Sequence, residues 1–143
     1  MSKRLAVVLG LALALAGCKD NYGACEKAAL DIGNGVTAGM KTVDQLRVSG
    51  LINVQEESNV LGYLKFINDA DAAFGTCAQN AHLAGSKAGA YTACANVFTS
   101  TLNNPAELAL IHVNNPQAQQ NIQVIVEGVN TGINAVLAAL GGA

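Results

Sequence analysis

The sequence predicts an all-α protein, an up-and-down helical bundle of three to four main helices plus one short helix. Three observations carry this expectation. Only 2 of 143 residues are proline, so long segments run uninterrupted. Apolar residues recur every three or four positions along most of the chain, the spacing of one buried helix face. The breaks between these stretches are short and carry cap residues, namely Ser49-Gly50, Asn53, Gly85-Ser86, Asn104-Pro105 and Asn115-Pro116.

The first helix is expected from Cys25, with Cys25, Ala29, Ile32, Val36, Met40, Val43 and Leu46 on one stripe. Gly33, Gly35 and Gly39 lower its intrinsic propensity. Gly35 and Gly39 share a face, which predicts close helix packing inside the bundle. Ser49-Gly50 ends the helix. The second starts at Asn53-Val54-Gln55-Glu56, where Asn53 caps and Glu56 reaches back, as in a capping box. Val60, Leu64, Ile67, Phe74 and Cys77 mark its buried face, and it runs to about His82 before Gly85.

Ser86 is expected to cap a third helix carrying Ala90, Tyr91, Cys94, Val97, Phe98 and Leu102. Each Asn-Pro step places a capping Asn before a proline at the first helical position. The first step opens a short helix from Pro105 to about Val113. The second opens a long one to Leu140. There Ile122, Val126, Val129, Ile133, Val136 and Leu140 step four, three, four, three, four, a bundle seam. A β-hairpin is the rival reading, because Ile122, Val124 and Val126 alternate before Asn130-Thr131-Gly132. The Pro start and the Gly141-Gly142 stop favour the helix.

The N-terminus reads differently. Met1-Ser2-Lys3-Arg4 is basic, Leu5 to Leu15 is an apolar run, and Ala16-Gly17 places small residues before Cys18. This order is the pattern of a secretory signal peptide. The run is shorter than the roughly 20 apolar residues a membrane-spanning helix needs.

Leu15-Ala16-Gly17-Cys18 resembles the lipobox of bacterial lipoproteins. The resemblance implies that residues 1–17 are removed and that Cys18 takes a diacylglycerol thioether. Acyl chains such as palmitate then form the lipid anchor. Residues 18–24 are expected as lipidated cysteine and short tether, and residues 25–143 as one helical domain. Two or three acyl chains, at about 0.8 kcal/mol per buried methylene, hold a protein stably. By the same resemblance, Lys19 is compatible with outer-membrane sorting in a double-membraned cell, facing the periplasm, with Asp20 one place later. The body resembles small uncharacterised helical lipoproteins of bacteria in general look, and that resemblance assigns no residue roles.

The mature chain keeps six Lys/Arg against ten Asp/Glu, a net charge of −4 without a basic block. Nucleic acid is therefore not an expected partner. Charged residues make up 13% of the chain, well below the usual quarter, which hints at self-association or a protein partner.

Beyond Cys18, three cysteines remain, and an exported compartment permits disulfides. Cys77 and Cys94 are symmetric about the Gly85-Ser86 turn, and Cys25 and Cys77 about the Gly50-Asn53 turn. Packed helices diverge with distance from the turn, so the nearer pair, Cys77–Cys94, is preferred over Cys25–Cys77. No metal site is expected: zinc prefers four ligands, and His82 and His112 are isolated helix-end or surface residues. Asp69-Ala70-Asp71 lacks the later ligands of a calcium loop, since Ala73 and Phe74 stand there, and reads as a solvated face. Glu56-Glu57 reads as a helix N-terminus favoured by the macrodipole. No phosphate loop, nucleophile elbow or cysteine–histidine pairing appears, so neither an enzyme nor a cofactor is expected.

These observations imply an anchored, non-catalytic interaction or structural module of the cell envelope. A small apolar-ligand or lipid-binding module, or an immunity or inhibitor lipoprotein, is the alternative.

Overall fold

A computed structural model describes residues 21–141; the leader and Cys18 lie outside the described residues. The chain forms helices α1 (Asn21–Val48), α2 (Val54–Leu83), α3 (Ala88–Leu102), α4 (Pro105–Leu108) and α5 (Pro116–Gly141), with a 3-10 turn at Ala109–Ile111. The all-α class is thus the observed one, and the stretch from Ile122 to Leu140 is helix.

Inter-helix pairs fix the topology. Tyr22 meets His82, Gly33 meets Asp71, and Ala29 meets Gly75, all centred on Ile52. α1 and α2 are therefore an antiparallel hairpin. Phe74 meets Phe98 and Cys77 meets Cys94, centred on Gly85-Ser86, so α2 and α3 form a second hairpin. Gly39 meets Ile125 and Ile32 meets Gly132, which runs α5 antiparallel to α1. The third column of the bundle is broken. α3 covers the half nearer Asn21, and α4 with the 3-10 turn continues along α2 to Val113.

Local chemistry explains the boundaries. α1 and α2 both end in a left-handed glycine, Gly50 (φ 75°) and Gly85 (φ 66°). In each case the next residue donates its N–H back to the final turn, Leu51 to Leu46 O and Ser86 to Ala81 O, both at 2.9 Å. This is the Schellman closure, which satisfies carbonyls a helix end leaves orphaned. The capping box at α2 forms: Asn53 Oδ1 accepts from Glu56 N–H at 2.8 Å and Glu56 Oε2 accepts from Asn53 N–H at 2.9 Å. Asn104 and Asn115 accept from the first N–H groups of α4 and α5.

Two boundaries differ from expectation. Lys87, not Ser86, is the N-cap of α3, and its side chain makes no cap bond. Ser86 is engaged in closing α2, so α3 starts one residue later. α1 also takes in Asn21–Ala24, which read from sequence as tether. Burial explains the extension: Tyr22 stacks on His82, and Ala24 is buried.

The core runs the length of the bundle. Val36, Val43, Val60, Tyr63, Leu64, Ile67, Phe98, Val113, Ile133 and Val136 are all but sealed from solvent. Burying a side chain of this size contributes about 1.5–3 kcal/mol relative to leaving it exposed. No described helix is long and apolar enough to cross a membrane.

Candidate functional site

The end of the bundle that carries Asn21 gathers four of the residues singled out by sequence: Cys25, Cys77, Cys94 and His82. The Tyr22 and His82 rings stack with centroids 4.1 Å apart, pinning the first turn of α1 to the last turn of α2. Cys77 and Cys94 stand at disulfide distance, Cα to Cα 5.8 Å, and tie α2 to α3 below the turn. Cys25 lies at a similar level but is fully buried in the core.

The geometry of α2 decides which partner Cys77 takes. Gly75 faces α1, where it meets Ala29. Two residues on, at about 100° per residue, Cys77 points to the other side, toward α3. Cys77–Cys25 is therefore not the pair the fold brings together. Cys77 was expected on the buried face; it sits at the exposed rim of the α2–α3 seam, while Cys94 is buried. Val97, grouped with the apolar residues of α3, is also exposed.

The Asp69-Ala70-Asp71 pair is split. Asp69 is on the surface, as expected, with Lys65 Nζ 2.9 Å away, one turn earlier. Asp71 is a correction: it is buried, 7% exposed, not on a solvated face. It occupies the stripe of Leu64, Ile67, Phe74 and Ala78, which also face inward. A Cβ at Gly33 on α1 would stand 3.3 Å from Asp71 Oδ2, so the glycine makes the space the carboxyl fills. Asp71 Oδ1 is buried without a hydrogen-bond partner. Burial pushes the carboxyl up to about 7, since its charged form loses water and gains no counter-charge. Asp71 is the buried titratable group that sequence reasoning missed, although the three-four spacing from Leu64 through Ala78 contains it.

The opposite end is organised by Glu56. Besides its capping role, its Oε1 accepts from Asn114 N–H at 2.9 Å. One carboxylate thus joins the start of α2 to the loop that opens α5. The backbone N–H of Asn53, then that of Asn114, hold this carboxyl below its usual range. Glu57 beside it reaches Arg47 of α1 at 3.6 Å. Tyr63, deep in the core, has its hydroxyl pushed up by burial and by Glu107 of α4.

His82 and His112 are exposed, His82 on the Asn21 end and His112 on the Glu56 side of the broken column. Among the described residues, no three His, Cys, Asp or Glu side chains gather as a metal group. A shallow groove of about 290 Å³ lies between the 3-10 turn and α5, lined by Leu108, Ile111, His112, Ile122 and Val126 among others.

Comparison with known proteins found no family model, no curated protein and no solved structure that matches the chain.

Proposed function

We propose that the chain is a membrane-anchored, non-catalytic helical lipoprotein, acting as an interaction or structural module of the cell envelope. The observation that carries this reading is the sequence Leu15-Ala16-Gly17-Cys18 behind a basic start and an apolar run. The bundle is compatible with it, because α1 begins by Asn21, three residues after Cys18. Such a spacing leaves the body against the membrane instead of on a long stalk. A surface of amides and hydroxyls with little charge suits a partner protein or a second copy held at that height.

Mass spectrometry of the membrane fraction tests the reading. The mature chain is expected to start at Cys18 with added acyl mass, and Cys18→Ser is expected to leave the precursor uncut. A soluble, unmodified product starting elsewhere would refute it.

A further inference from the structure

The turn between α2 and α3 lies at the same end of the bundle as the start of α1. The Tyr22–His82 stack fixes that placement. The residue after His82 is Leu83, 76% exposed at the last position of α2. Gly85, with φ 66°, turns the chain, and Lys87 is exposed just beyond it. An exposed aliphatic side chain and an exposed cation therefore flank one turn, at the end of the bundle where α1 starts.

The length of chain before α1 says what they meet. Cys18 is three residues from Asn21, a reach of at most about 11 Å. The polar layer of a bilayer leaflet is only about 5–8 Å deep outside the hydrocarbon. With the acyl chains of Cys18 in the hydrocarbon, this end of the bundle is held at the headgroup level. Leu83 stands 76% exposed among the described residues, and lipid is the apolar phase within reach. An exposed lysine next to it carries the charge that lipid phosphates attract.

We propose that the α2–α3 turn is a second membrane contact, with Leu83 entering the bilayer and Lys87 meeting phosphate headgroups, so that the bundle stands in one orientation instead of swivelling on its anchor. The inference rests on the lipid-anchor reading above. Val48 is the internal contrast. It is 81% exposed too, but closes α1 at the other end, about 40 Å away along the helix.

The test uses the full chain, processed in cells, purified and reconstituted into phosphatidylethanolamine/phosphatidylglycerol vesicles holding acyl-chain nitroxide lipid. Ala84→Cys and Val48→Cys variants each carry an environment-sensitive fluorophore, and mass spectrometry reports acylation of Cys18 in the same samples. The label at position 84 is expected to be blue-shifted and quenched several-fold more than the label at 48. Adding Leu83→Asp is expected to abolish the shift, and adding Lys87→Glu to weaken the quenching in anionic but not zwitterionic vesicles. Equal quenching at both positions on an acylated chain would overturn the second contact and leave the anchor standing. An unacylated Cys18 would overturn both.

Discussion

Gly39 of α1 lies directly against Ile125 of α5, so close that a Cβ on the glycine would stand 2.9 Å from Ile125 Cγ2. The arrangement is reciprocal. Two helical turns earlier in α1, Ile32 packs on Gly132, which lies two turns after Ile125 in α5. Each helix thus offers an isoleucine to the other's glycine; the fit is tight at Gly39 and an ordinary contact at Gly132, where a Cβ would stand 3.5 Å from Ile32 Cγ1.

Gly39→Ala is expected to destabilise the fold despite alanine's better helix propensity. Ile125 Cγ2 is a branched methyl fixed near its own backbone, so the helices must part, at a cost of about 1–3 kcal/mol. Ile125→Ala costs stability alone but is expected to relieve part of the Gly39→Ala loss, a favourable coupling in a double-mutant cycle. Gly35 shares a helix face with Gly39, yet nothing stands within 4 Å of its would-be Cβ. Gly35→Ala should therefore stabilise by about 0.5–1 kcal/mol. Urea titration of the three single variants and of the Gly39→Ala/Ile125→Ala double variant checks both signs and the coupling.

Asp71 makes stability fall as pH rises. Its folded pKa of about 7 lies above the ordinary 3.8, so the folded state holds the proton more tightly. The contribution is fully present below about pH 4 and is lost progressively up to about pH 7. Asp71→Asn removes this slope and is expected to be more stable than the parent at pH 8, by on the order of 2 kcal/mol. A parent and variant with parallel stability curves from pH 4 to 8 would contradict the assignment.

Glu56 acts in the opposite direction. Its folded pKa lies below the ordinary 4.5, so its contribution is present above that value and is lost as pH falls through the lower one. Glu56→Gln is expected to lower Tm at pH 7 and to flatten the acid limb below pH 4.5. Glu57→Gln removes only a half-exposed pair with Arg47 and is expected to move Tm little. Thermal melts across pH 2.5–7 compare the two.

Opening the Cys77–Cys94 bridge, by reduction or as a double serine variant, is expected to cost about 3 kcal/mol, since it frees a loop of 17 residues in the unfolded chain. Non-reducing peptide mapping should link these two cysteines and leave Cys25 outside the bridge.

Most helix boundaries were legible because caps are local chemistry. Asn53 with Glu56, Asn104 before Pro105, and Asn115 before Pro116 act within three residues, and each forms its bond. The seam of α5 was legible because its spacing is regular. Asp71 was not, because a carboxyl ordinarily favours solvent, and only the facing Gly33 shows how the core admits it. The start of α1 was missed for a related reason. Asn21 and Tyr22 look like tether until His82, far along the chain, supplies the ring that Tyr22 covers. Ser86 looked like a cap, and the demand of the preceding helix end took precedence.

The pairing of the first helix with the last also sets when the fold can close. α1 and α2 can form their hairpin as soon as residue 83 is free, and α3 can join after residue 102. The side of α1 that carries Gly39 and Ile32 must wait for Ile125 and Gly132. A chain emerging N-terminus first therefore keeps that stripe open to solvent until nearly all of it has been delivered. Its completed form depends on the contact of greatest sequence separation, the kind whose loop-closure cost slows folding.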